Sequence, residues 1–344
     1  MSKRKEENSM YLIGIDIGGT KICVCIGDPQ GNILVSKRIL TQPLKGSIHG
    51  LKAIASLIRE MFEENRLELK QIATIGVSCP GPISTREGRM LTPPNLPGWE
   101  NTEIVRYFSE TFHKHVMMNN DGNAAAVAEF QFGSAKGTPN LVYLTCSTGM
   151  GGGAIVNGEL VQGVSDTAAE VGHFVLDIKG PQCPCGQRGC FETYCGGAAL
   201  AKKMREEIER GQIKTEILIE AQGKLDQVDV SCLIKAVQKK DAYALKVWDE
   251  FITRLAQGIG VVLMNFNPEV VVLGTIAIHS GPLLLEPLKK QLPHFAWREN
   301  VKGCRIEVSS LGDAISEYSG LALAKMALLK LGQIGPKLSS VKGV

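Results

Sequence analysis

The 344-residue sequence predicts an α/β protein of two lobes related by internal duplication. Two patterns carry that prediction. A strand, a Gly/Thr turn, a strand, a tight turn and a strand occur twice, about 130 residues apart. Each occurrence is followed by segments of helical period and by short, wholly apolar strand runs. The composition agrees: 44% hydrophobic and 21% charged residues suit a folded core, and 38 glycines suit many tight turns.

The first repeat opens with the apolar run Tyr11 to Asp16 and turns at Gly18–Thr20. A strand from Lys21 to Gly27, a turn at Asp28–Gly31 and a strand from Asn32 to Leu40 follow. Leu51, Ile54, Ala55, Ile58, Met61 and Phe62 share one helical face, which predicts a helix over about 48–65. Buried strands are expected at Ile72–Ser78 and Val116–Asn119, and a helix from Asn123 that stops at Gly133. The second repeat has strands at 141–145 and 154–156, the turn Ser147–Gly153 between them, and a hairpin turn at Asn157-Gly158 leading into a strand from Glu159. Helices at about 196–210 and 242–266, a strand at 269–274, a helix near 281–292, a strand near 305–311 and a helix near 313–331 complete the chain. The expected partition is a disordered leader 1–10, a first lobe 11–122 completed by the helix 313–331, a second lobe 123–312 and a tail 332–344.

Charge and composition exclude several functions. Lys+Arg 38 against Asp+Glu 35 leaves +3, too weak a field to hold nucleic acid or an anionic membrane. Aromatics at 6% disfavour a platform for single-stranded nucleic acid. No run approaches the roughly 18–20 apolar residues that cross a bilayer. Met1–Met10 lacks the apolar stretch of a signal peptide, so a cytoplasmic location is expected. Of ten cysteines, Cys183, Cys185 and Cys190 crowd into eight residues, a spacing that points to metal; the rest fit as buried small hydrophobes.

Chemistry concentrates in four places. The turns Gly18-Gly19-Thr20 and Ser147-Thr148-Gly149-x-Gly151 expose backbone N–H groups and hydroxyls of the kind that cradle phosphate. Neither is a Walker or dinucleotide loop, because a strand rather than a helix follows each. Taken as a pair they fit the phosphates of one nucleotide, with Asp16 either a partner for Mg2+ or a turn cap. Asp121, at the entrance to an Ala-rich helix, is either a helix cap, a role open to Asn123 as well, or a general base toward a substrate hydroxyl, with Asn120 beside it. His173-x9-Cys183-x-Cys185-x4-Cys190 supplies a complete tetrahedral set for structural Zn2+. Glu170 and Glu192 flank that set and are either sugar-hydroxyl acceptors or solvated loop charges.

These segments together resemble the ROK family of bacterial sugar kinases and repressors. The resemblance runs from residue 11 to about 330 and rests on Asp16–Lys21, Pro80-Gly-Pro82, Asn95–Trp99, Asn120–Asn123, Ser147–Gly153, Glu170–His173 and Cys183–Glu192. It implies an actin-like ATPase (ribonuclease H-like) fold with an interlobe cleft, Asp121 as catalytic base, and Gly81, Asn95, Asn120, Glu170, His173 and Glu192 as sugar contacts. It further implies ATP contacts at Asp16, Gly18, Gly19, Thr20, Lys21, Ser147, Thr148, Gly149, Gly151 and Gly274. Zn2+ would sit on His173, Cys183, Cys185 and Cys190. A homodimer is implied by the resemblance alone. One departure is that Gly274-Thr275-Ile276 stands where such kinases carry a Gly-rich turn near adenosine. The expected activity is ATP- and Mg2+-dependent phosphorylation of a hexose, glucose to glucose 6-phosphate. The alternatives are an N-acetylmannosamine kinase and a non-catalytic sugar-sensing regulator. Ten residues before the first strand are too few for a helix-turn-helix module, so a repressor is not expected.

Overall fold

The computed structural model describes residues 10–44 and 46–332; of the expected leader and tail, all but Met10 and Gly332 lie outside the described residues. The chain runs β1 (Tyr11–Ile17), β2 (Lys21–Gly27), β3 (Ile33–Leu40), α1 (Ser47–Glu64), β4 (Ile72–Cys79), the two-residue strands β5 (Ile83–Ser84) and β6 (Arg89–Met90), α2 (Ile104–Phe112), β7 (His115–Asn120) and α3 (Asp121–Gln131). It continues with β8 (Leu141–Cys146), β9 (Met150–Val156), β10 (Glu159–Leu160), α4 (Gly197–Gly211), α5 (Val230–Gln238), α6 (Ala242–Phe266), β11 (Val270–Leu273), α7 (Pro282–Gln291), β12 (Arg305–Val308) and α8 (Ile315–Lys330), with shorter helical turns between.

Contacts divide the chain into two compact units. One holds residues 10–132, 163–167 and 313–332; the other holds 133–162 and 168–312. The changeover falls after Phe132 rather than after Gly122, because α3 packs on α8 within the first unit. The tip 163–167 also belongs to the first unit, where the Thr85 N–H and hydroxyl donate to the Asp166 carboxylate at 2.9 and 2.6 Å.

Each unit has one five-stranded sheet, and the two sheets repeat one plan. The first is ordered β3-β2-β1-β4-β7 and the second β10-β9-β8-β11-β12. In each, three strands pair antiparallel through short turns and two more join in parallel. Antiparallel neighbours need only a tight turn, whereas the parallel strands are reached through helical crossovers such as α1 and α2. The third strand of the second repeat has two residues, against eight in the first.

The first core is formed by β1, β2 and β4 against α1 and α2, with Ile13, Ile15, Val24, Ile54, Ile58, Phe62 and Phe108 buried. On the opposite face α8 lies directly on β1 and β4. Glycines make that approach possible: a Cβ added at Gly14 would meet Leu321 N at 2.6 Å, and one at Gly76 would collide with Gly320 O. The Thr74 hydroxyl donates to Ala324 O at 2.7 Å across the same contact. The second core packs α4, α5, α6 and α7 with β8 and β11, and α6 supplies Val247, Trp248, Phe251, Leu255 and Ile259 at helical spacing. No helix among the described residues is long and apolar enough to cross a membrane.

Candidate functional site

In the first unit the polar side chains gather at the C-terminal ends of parallel strands, where open α/β sheets bind ligands. Register places Asp16 of β1 opposite Ser78 of β4, and Ser78 opposite Asn119 of β7. The Ser78 hydroxyl donates to Asp16 Oδ1 at 2.6 Å. Asp16 therefore does not cap its own turn, which is closed by Gly18 N donating to Lys21 O at 2.9 Å and by the Thr41 hydroxyl donating to Gly18 O at 2.7 Å. Desolvation outweighs the hydrogen bonds from Ser78 and Ser316 and pushes the Asp16 carboxyl up to about 6; the Asp121 charge adds in the same direction. Thr20 and Lys21 face solvent. Asn95, the sugar candidate on its own loop, packs its carbonyl against Gly19, where an added Cβ would approach it to 2.8 Å. Gly81 borders open space, with nothing within 4 Å of a Cβ built there.

The helix carrying Asp121 starts two residues before the expected Asn123, and its cap is neither Asp121 nor Asn123. Asn120 Oδ1 accepts from Asn123 N at 2.7 Å. Asn119 Oδ1 accepts from Asn120 N at 2.9 Å and from Asn123 Nδ2 at 3.0 Å. All three Asn side chains are buried, so this network fixes the strand-to-helix junction. Asp121 is thus not the N-cap residue and sits exposed on the first helical turn, where one carboxylate oxygen takes the Gly122 N–H. The surrounding protein still raises its pKa by desolvation, against the N–H of Gly122, which donates to Oδ1 at 2.8 Å.

In the second unit Met150, at the start of β9, is the meeting point. Its N–H donates to Glu192 Oε2 at 2.9 Å, and the same oxygen lies against Gly149, where a Cβ would displace it. Its carbonyl abuts Gly172, which seats the Glu170–His173 turn. Ser147 N donates to Gly149 O at 3.0 Å, closing the candidate phosphate turn, while Ser147 O and Thr148 O accept from Gly197 N and Ala198 N at 2.8 and 2.9 Å. The turn is therefore docked on the start of α4 with Ser147 and Thr148 exposed. Gly151 lies within β9, paired with Thr145. Gly274 follows β11 with no room for a side chain, since a Cβ there would collide with Tyr143 Oη.

The four candidate metal ligands converge: the donor atoms of His173, Cys183, Cys185 and Cys190 all lie within 4.8 Å of one another. Cys185 Sγ and Cys190 Sγ are 3.6 Å apart, and Cys183 Sγ is 3.7 Å from His173 Nδ1. A tetrahedral zinc with Zn–S bonds of about 2.3 Å requires S–S edges of roughly 3.8 Å, so the donor set fits that ion. With Nδ1 turned toward Cys183, the His173 nitrogen left to face elsewhere is Nε2.

Sequence reasoning missed three participants. Ser78 and Met150 N–H act on chosen carboxylates through strand register and a backbone group, neither of which has a compositional signature. The third is the pair Thr145–Thr275, whose hydroxyl oxygens lie 3.0 Å apart.

Comparison with known proteins agrees with this arrangement. A family model described as ROK family matches residues 12–327. A glucokinase of Thermotoga maritima is 30% identical over 283 residues, spanning 82% of this chain and 87% of its own. A xylose repressor of Bacillus spizizenii is 28% identical over 306 residues, 88% of this chain and 73% of the repressor. The crystal structure of a ROK family glucokinase from Streptomyces griseus, in complex with glucose and AMPPNP, matches with TM-score 0.74 at 25% identity over 92% of this chain and 99% of that one. The paired sheets are those of the actin-like ATPase and sugar kinase fold. The chain belongs to the ROK family.

Proposed function

We propose that this protein is an ATP-dependent hexose kinase that transfers the γ-phosphoryl group to the 6-hydroxyl of glucose. The observation that carries the reading is the state of Asp121: Asn120 supplies the helix cap, and the Asp121 carboxylate is left exposed with a raised pKa. A carboxylate so placed is suited to accept the proton of an alcohol as it attacks phosphorus. Asp16 is assigned to Mg2+, and binding of the cation would restore the charge that burial disfavours on this carboxyl. The turns Gly18–Lys21 and Ser147–Gly151 are assigned to the phosphates, whose charge would be offset by their hydroxyls and by N–H groups other than those of Gly18, Ser147 and Met150, which already donate within the protein. Gly81, Asn95, Asn120, Glu170, His173 and Glu192 are assigned to the sugar. Zinc, on His173, Cys183, Cys185 and Cys190, supplies no reaction step when bound, because four protein ligands complete its coordination. Those residues fix the loop that leads from Cys190 into Glu192.

A glucokinase relative and a glucokinase neighbour with glucose and AMPPNP support the substrate pair. The xylose repressor relative supports a second reading, a sugar-responsive regulator that binds sugar without transfer. An ADP-release assay with Mg-ATP over a sugar panel that includes glucose, mannose, xylose and N-acetylmannosamine separates them. Glucose as best acceptor supports the proposal. N-acetylmannosamine as best acceptor moves it to another kinase, and sugar binding with no ADP from any sugar establishes the regulator.

A further inference from the structure

The chain leaving β11 does something costly. Gly274 is pressed against Tyr143 Oη, and the next residue, Thr275, takes φ 43° and ψ −96°. A β-branched residue at positive φ is an outlier, and such strain persists where the surroundings impose it, commonly at ligand clamps. Glycine would hold this backbone without strain. What threonine adds is its hydroxyl, which lies 3.0 Å from that of Thr145. One of the pair donates to the other, so one of the two hydroxyl protons remains to be given to a third group.

Thr275 also lines a cavity of about 740 Å³ in the second unit. Ser147 and Thr148 of the phosphate turn line the same cavity, together with the apolar side chains of Val230, Ile234 and Ile276. Asp229, Ser231, Lys235, Gln238 and His279 line it too, so hydroxyls, a cationic side chain and aliphatic groups share one cavity, a mix that suits the phosphates and base of a nucleotide.

We infer that Thr275 is a donor-binding residue: oriented by Thr145, its hydroxyl donates to a phosphate oxygen of a nucleoside triphosphate whose base lies against Val230, Ile234 and Ile276. The inference rests on the kinase reading above and deepens it. Where a Gly-rich turn would offer backbone alone, this chain offers a positioned side-chain donor and tolerates a strained residue to do so.

The test uses the full-length protein, the probe Mg-AMPPNP measured by calorimetry without sugar, and steady-state kinetics with glucose. Thr275→Val keeps the branched shape and removes the hydroxyl; it should weaken AMPPNP binding and raise the KM for ATP at least about tenfold, with the KM for glucose within about twofold of wild type. Thr275→Ser should restore nucleotide binding to within about threefold. Thr275→Gly should melt at higher temperature than wild type yet bind AMPPNP as poorly as the valine variant. Should Thr275→Val fail to fold, Thr145→Val interrogates the same pair and should show the same split between ATP and glucose. AMPPNP binding unchanged in the valine and glycine variants overturns the inference while leaving the kinase reading intact. A wild-type protein that neither binds AMPPNP nor phosphorylates any sugar overturns the kinase reading and this inference with it.

Discussion

Replacing Asp16 by Asn should make the protein more stable, and by more at neutral than at acid pH. Desolvation lifts the folded-state pKa of this carboxyl from 3.8 to about 6, despite hydrogen bonds from Ser78 and Ser316. A raised acid pKa means that folding favours the protonated form. The stability so conferred is complete below the unfolded pKa and is lost as pH rises through the folded one. About two units at 1.36 kcal/mol each amount to roughly 3 kcal/mol of penalty above pH 7, falling to less than about 1 kcal/mol at pH 4. Asn carries no charge to desolvate and keeps an acceptor for the Ser78 hydroxyl, now 2.6 Å from Oδ1. Because Asp16 is partly exposed, solvent screening trims the expected gain to about 2 kcal/mol at pH 7.5. Urea denaturation of both proteins in excess chelator, at intervals from pH 4.5 to 8, reads the difference directly. A gain that grows from the acid end of that range to about pH 6 and then levels fits the account. No gain at pH 7.5, or one equally large at pH 4.5, refutes it. The same substitution should abolish Mg-ATP turnover, since the penalty is the counterpart of a cation-binding charge.

Gly149→Ala should lower kcat/KM for sugar by roughly 10- to 100-fold, because its Cβ displaces the Glu192 oxygen held by Met150 N–H; steady-state kinetics with glucose check this, together with melting to show that the fold survives. Purified active protein should contain one zinc per chain by elemental analysis, and Cys190→Ser, at a buried ligand position, should lose the metal and the sugar affinity together. The raised pKa of Asp121 places the acid limb of the kcat profile above the ordinary carboxylate range, with activity rising with pH as the base ionises; a flat profile from pH 4 to 7 would contradict this.

Much of the fold is legible in the sequence because its signals are local and repeated. The runs around Gly18–Thr20 and Ser147–Gly149 share one strand-turn-strand plan, and both recur as sheets of one order. Helix α6 is readable end to end: Asp241 accepts from Ala244 N at 2.8 Å at its start, and Asn267 takes the left-handed conformation at its end. The convergence of the candidate metal ligands is readable because His173 and three cysteines fall within 18 residues, in the number and type that fill a tetrahedral zinc. Less legible is the start of α3, where Asn120, Asp121 and Asn123 are all good caps and only the buried network with Asn119 decides among them. The docking of Asp166 on Thr85 depends on residues 81 positions apart and leaves no local trace. The place of α3 in the first unit is likewise set by its packing on α8, almost 200 residues later in the chain.

The central claim is that Asp121 takes a proton from a sugar hydroxyl. Its most direct test is Asp121→Asn, with glucose binding measured by calorimetry and phosphorylation measured by product formation with Mg-ATP. The account predicts that turnover falls at least about a thousandfold while glucose affinity changes by no more than about 1–2 kcal/mol, since a hydrogen-bonding side chain remains. Near-normal turnover, or a loss of glucose affinity as large as the loss of rate, would contradict it.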